Sequence, residues 1–141
     1  MKNVVVDTNV FVSACLGNGA PAEVVRACLQ ALVLPVMGAA LYLEYEEVLG
    51  RTSLFRRSRL DAQERADLFD AFLSQCTWTR VYYGWRPNLA DEGDNHLVEL
   101  AVAAQAGVIV TGNARHLEVG ELKFPAIRVL DPKTFLQELK S

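Results

Sequence analysis

At 141 residues, 51% apolar and 22% charged, the chain is long enough to bury a core without disulfides or structural metals, and its balance excludes a disordered or fibrous class. A net charge of −3 excludes a whole-molecule basic field as the means of attracting a polyanion. Cys15, Cys28 and Cys76 are odd in number and lack a Cys-x-x-Cys pattern, so they read as small buried hydrophobes of a reduced, cytoplasmic protein.

In chain order, the β-branched run at residues 3–6 predicts a strand buried on both faces. The apolar stretch after Lys2 meets Asp7 before it reaches signal-peptide length, so no secretory segment is expected. Helical periodicity follows over 8–16 and, after Gly17-Asn18-Gly19 and Pro21, over 22–31. Residues 32–36 predict a second strand, and 39–50 a helix with Leu41, Tyr45 and Val48 on one face, closed by Gly50. The uncharged stretch 31–43 contains Pro35 and Gly38 and is too short to span a bilayer.

Asp61 is placed to cap a helix over 61–76 carrying Leu68, Phe69, Phe72 and Leu73. A third strand is expected at 78–82, a Gly/Pro/Asn/Asp-rich loop at 84–93, and a helix over 95–106 opened by Asp94. Strands at 108–111 and 127–130 precede Asp131-Pro132, the cap and first turn of a last helix. Strands alternating with helices predict one α/β domain over residues 1–141, a parallel five-stranded sheet flanked by helices. In such sheets the ligand crevice lies beyond the carboxyl ends of the strands, where the strand order reverses.

Asp7 and Thr111-Gly112-Asn113 both sit at such ends. Asp7 could equally serve as an ordinary helix cap, with Thr8 and Asn9 beside it. Glu44 lies along the apolar edge of its helix, flanked by Leu41 and Val48, where a charge must be paired, protonated or metal-bound; Glu46 lacks that placement, and Glu47 is the nearest substitute. Asp91, Glu92 and Asp94 stand immediately before a helix, where capping alone could explain Asp94. Asn113 could offer an amide oxygen or simply form a turn. Three carboxylates drawn to one edge would repel one another unless a divalent cation, Mg²⁺ or Mn²⁺, neutralised them. Arg51, Arg56, Arg57, Arg59 and Arg115 could grip phosphates or form a solvated surface. His96 and His116 read as surface histidines, and Trp78, Tyr82, Tyr83 and Trp85 as aromatic core or subunit interface.

Together the motifs Val-Val-Val-Asp7-Thr8-Asn9-Val-Phe-Val-Ser13, Leu43-Glu44-Tyr45-Glu-Glu-Val48-Leu49-x-Arg51, Asp91-x-x-Asp94-Asn95 and Val110-Thr111-Gly112-Asn113-x-x-His116-Leu117 resemble the PIN-domain family of metal-dependent ribonucleases over essentially the whole chain. That fold is shared by many toxin components of bacterial toxin–antitoxin pairs. The resemblance implies catalytic, metal-binding carboxylates at Asp7, Glu44 and Asp94, with Asn113 where the family often has a fourth aspartate. It implies a Mg²⁺- or Mn²⁺-dependent endoribonuclease, with Thr8, Asn9, Ser13, Asp91 and Thr111 supporting the site. RNA, an antitoxin protein and a second copy in a homodimer are the implied partners. The alternative is a catalytically weakened module of the same fold that acts by binding protein or RNA.

Overall fold

The alternation of strands and helices folds into a parallel sheet whose order is β3-β2-β1-β4-β5. The computed structural model describes residues 2–81, 95–113 and 126–140. Its strands are β1 (Asn3–Val6), β2 (Leu34–Met37), β3 (Thr77–Trp78), β4 (Val108–Val110) and β5 (Arg128–Leu130). The helices are α1 (Thr8–Leu16), α2 (Ala20–Leu29), α3 (Ala39–Leu49), α4 (Ala62–Gln75), α5 (Asn95–Ala103) and α6 (Pro132–Lys140). A short 3₁₀ turn at Thr52–Phe55, without an apolar period of its own, was not expected.

Valines 4, 5 and 6 and residues 108–110 are all buried, as continuous β-branched runs require when both sheet faces are covered. Helix α2 packs against α1, α4 and α6, while α5 packs against β1, β4 and α3. Pairing of Val4, Val5 and Val6 with Val108, Ile109 and Val110 makes β1 and β4 end level. The chain leaves β1 first toward β2 and β3 and later returns on the other side as β4, so the reversal of strand order falls between β1 and β4. The residues immediately after both strands, Asp7 and Thr111, therefore meet at the crevice.

Several boundaries differ from the sequence expectation, each for a local reason. Helix α2 begins at Ala20, because Pro21 needs no backbone donor in a first turn. It ends at Leu29 in a Schellman closure in which the Ala31 N–H donates to Cys28 O at 3.1 Å and the Leu32 N–H to Ala27 O at 3.0 Å. Leu32 is thereby spent in the turn, and β2 starts at Leu34 rather than 32. Helix α5 stops at Ala103 through the same device, with Ala106 N–H on Ala101 O at 2.8 Å. Both closures put a non-glycine residue in the left-handed region, Ala31 at φ 60° and Gln105 at φ 55°. The expected capping of α4 by Asp61 is present as a reciprocal box with Glu64. Strand β3 spans two residues and begins at Thr77; Tyr82, Tyr83, Trp85 and the loop at 84–93 lie outside the described residues.

The cysteines are free, Cys15 and Cys28 buried and Cys76 half-buried. Burial pushes the thiols of Cys28 and Cys76 up to about 12, which fits inert packing residues. Among the described residues no helix is long and apolar enough to cross a membrane.

Candidate active site

Asp7 caps α1, and its side chain is held from three sides. Its Oδ1 accepts the Thr8 N–H at 2.7 Å. Its Oδ2 accepts the Thr111 hydroxyl at 2.7 Å and lies 3.3 Å from Asn9 Nδ2. The backbone N–H of Asp7 continues the β1–β4 ladder by donating to Val110 O at 2.9 Å. The carboxylate is 7% exposed and lies at the N-terminus of α1, whose dipole is favourable to negative charge.

Thr8 links this acid to the second one. While its N–H serves Asp7, its hydroxyl donates to Glu44 Oε1 at 2.6 Å. Glu44 reaches that position from α3, and the residue that fixes α3 is its neighbour. Tyr45 is fully buried, stacks on Phe69 with centroids 5.4 Å apart, and meets Phe11 edge-on at 5.5 Å. Its hydroxyl donates to Val6 O at 2.7 Å. Pairing of β1 with β2 runs over Asn3 and Val4, so Val6 lies beyond that pairing and its carbonyl is met by a side chain. The phenol thus pins α3 to the end of β1, one residue before Asp7.

His96 completes the arrangement and corrects the expectation that it is a surface residue. It stands in the first turn of α5, 19% exposed, with Nε2 2.9 Å from Glu44 Oε2. The hydrogen bond from His96, aided by that from Thr8, holds the Glu44 carboxyl below the usual glutamate range against the opposing effect of burial. Because ionised Glu44 can only accept, Nε2 carries the proton between them. Helix α5 approaches α3 closely at Gly38, where an added Cβ would lie 3.1 Å from Leu100 Cδ1. A lone histidine at a helix start has no periodic signature, so only its distance in the fold identifies it.

On the β4 side, Thr111 is fully buried and its Oγ1 accepts the Asn113 N–H at 3.1 Å while donating to Asp7. Asn9 Oδ1 accepts the Gly112 N–H at 3.0 Å. Asn113 itself is exposed and joins the network through its backbone. Ser13 is exposed on α1, about 9 Å along the axis from the Asp7 cap at 1.5 Å per residue, and is not drawn into this network. Asp91, Asp94, Arg115 and His116 lie outside the described residues. Among the described residues no three His, Cys, Asp or Glu side chains form a group that could hold a metal. The described pair, Asp7 and Glu44, offers oxygen donors alone, the set that suits a hard divalent cation.

The arginines after α3 do not form one free cluster. Arg51 is engaged by Glu47 at 2.7 Å. Arg59 donates to Ala14 O at 3.1 Å and Gly17 O at 3.3 Å, satisfying the carboxyl end of α1. That end is about 13 Å from Asp7 along a nine-residue helix. Arg56 and Arg57 are exposed. Trp78, read as core or interface, is 54% exposed with its ring 5.4 Å from that of Tyr42.

A family profile described as a PIN domain matches residues 3–115. Among solved structures, the chain is similar to one in the crystal structure of VapBC2 from Rickettsia felis bound to a DNA fragment from their promoter, with a TM-score of 0.58 and 12% identity, covering 92% of this chain and 98% of that one. At that identity the likeness speaks for the fold. No curated protein sequence matches significantly.

Proposed function

This chain belongs to the PIN-domain family, and from that premise we propose that it is a divalent-metal-dependent endoribonuclease, the toxin member of a toxin–antitoxin pair. The observation that carries the reading is the joining of Asp7 and Glu44 through the single residue Thr8 at the carboxyl ends of β1 and β4. Asp94, at the mouth of α5 in sequence, is the third acid of the proposal. Residues 1–141 would then act as one nuclease domain.

Asp7, Glu44 and Asp94, with Asn113, are the residues that would hold Mg²⁺ or Mn²⁺, and the ion would supply activation of a water and neutralisation of charge on the phosphodiester. The chain's own part is to keep Glu44 ionised and to aim the acids. Thr111 and the Thr8 N–H hold Asp7, and the Thr8 hydroxyl holds Glu44. Arg56 and Arg57, both exposed, are assigned to RNA phosphates, whereas Arg59 is committed to the α1 carbonyls. The similarity to a chain of a VapBC2 complex supports an antitoxin as partner.

A second reading, a binding module with weakened chemistry, draws on Asn113, which brings no charge to a position the family often fills with aspartate. Cleavage of a single-stranded RNA on addition of Mn²⁺ separates the two. The nuclease reading expects cleavage by the wild type that is lost in Asp7→Asn and in Asp94→Asn. Equal cleavage by both variants would refute it, and RNA binding without cleavage by the wild type would favour the module.

A further inference from the structure

We infer that His96 is a positioning residue for Glu44, the hydrogen-bond donor that aims this carboxylate at the divalent cation. The inference rests on the metal-site reading above and adds to it a residue outside the acids and their threonines. A glutamate side chain has three rotatable bonds, and that of Glu44 is 35% exposed, so the helix backbone alone does not fix where its oxygens point. Two donors from two other elements do. Thr8 Oγ1, at the start of α1, takes Oε1 at 2.6 Å, and His96 Nε2, at the start of α5, takes Oε2 at 2.9 Å.

The imidazole suits this task because the helix that carries it is fixed by packing. The next residue, Leu97, is fully buried, Leu100 one turn on is 2% exposed, and Gly38 lets Leu100 come against the start of α3. While Nε2 donates to Glu44 it cannot itself ligate a metal. Through Nε2, His96 therefore acts on the carboxylate, and a carboxylate with about four lone-pair sites that spends two on protein donors keeps the others for a cation. Hydrogen-bond partners of this kind around metal ligands typically contribute 10- to 100-fold in metal affinity.

The test is Mn²⁺ binding to the full-length chain, followed by the electron paramagnetic resonance of free Mn²⁺ at a fixed pH, alongside the melting temperature of each metal-free variant. His96→Leu, which keeps bulk and loses the donor, is expected to weaken binding about 10- to 100-fold, while His96→Gln, whose amide can donate, is expected to stay within about threefold of wild type. His96→Ala serves as a second donor-free variant with the same expected loss. Binding lost in Asp7→Asn but unchanged in His96→Leu and His96→Ala would overturn the role of His96 while leaving the metal site intact. Equal weakening by Leu, Ala and Gln in step with falling melting temperatures would also overturn it, because the residue would then be merely structural. Wild-type binding that is insensitive to Asp7→Asn would overturn the metal-site reading itself, and the inference with it.

Discussion

Removal of one oxygen atom, in Tyr45→Phe, tests how α3 is attached to the end of β1. The phenol ring is fully buried and its hydroxyl donates to Val6 O at 2.7 Å. Phenylalanine would keep the stack on Phe69 and the edge contact with Phe11, so the loss is confined to the hydrogen bond. A net hydrogen bond contributes about 1 kcal/mol, and a buried carbonyl left without its donor costs about 1–3 kcal/mol. We therefore expect a destabilisation of about 1–2 kcal/mol, against about 3–5 kcal/mol if the whole ring were removed. Urea denaturation followed by circular dichroism would read it as a lower midpoint with an unchanged slope. In a chain of this size the same loss lowers the melting temperature by roughly 3–10 °C. A change under about 0.5 kcal/mol, within the range of ordinary surface substitutions, would refute the clamp. Since Glu44 precedes Tyr45 on the same helix, Mn²⁺ affinity should fall along with stability.

Other perturbations test other parts of the structure. Ala31→Gly should stabilise the fold by up to about 1 kcal/mol in the same denaturation assay, because Ala31 closes α2 at φ 60°, a conformation that costs an L-residue roughly 1–2 kcal/mol, partly offset by the greater freedom of an unfolded glycine. Gly38→Ala should destabilise by about 1 kcal/mol or less, since its Cβ would stand 3.1 Å from Leu100 Cδ1, which must give way by a few tenths of an ångström, while the loss of unfolded-chain freedom offsets about 0.4–1 kcal/mol of that cost; a clear stabilisation would mean that α5 is free to move away from α3. Glu44 should leave a mark on the acid limb of stability. Its folded carboxyl titrates below that of an ordinary glutamate because His96 and Thr8 donate to it, so on acidification the unfolded chain takes up the proton first. Its stabilising contribution is therefore present above the unfolded value and lost as pH falls through the folded value. Glu44→Gln should flatten this limb, leaving the slope contributed by Asp131, lowered by the Thr134 N–H, and Glu138, lowered by Arg128; an unaltered limb would contradict the pairing with His96 and Thr8.

The framework was legible wherever one residue type carried one signal. β-Branched runs marked β1 and β4, and their equal ends follow from pairing Val4–Val6 with Val108–Val110. Asp61 announced the start of α4, and the structure adds Glu64 as its reciprocal partner. Helix ends were harder, because Ala31 and Gln105 occupy positions that glycine normally flags. The two-residue β3 is too short to show alternation.

Within the crevice, Asp7, Glu44 and Thr111 could be singled out as polar residues at strand ends or on an apolar edge. The donors that hold them depend on distances between elements. Tyr45 read as a core aromatic, and nothing in its sequence context shows its hydroxyl reaching Val6 O. His96 is 52 residues from Glu44 in the chain and meets it only when α5 packs on α3. Arg59, grouped by sequence with neighbouring arginines as a phosphate grip, is instead turned toward the end of α1.

Anomalous diffraction from crystals of the chain soaked in Mn²⁺ addresses the metal site most directly. We expect a manganese peak in contact with carboxylate oxygens of both Asp7 and Glu44, with Asp94 completing the set and the peak abolished in Asp7→Asn. A manganese ion bound away from both carboxylates, or one that survives unchanged in Asp7→Asn, would contradict a catalytic centre at the ends of β1 and β4.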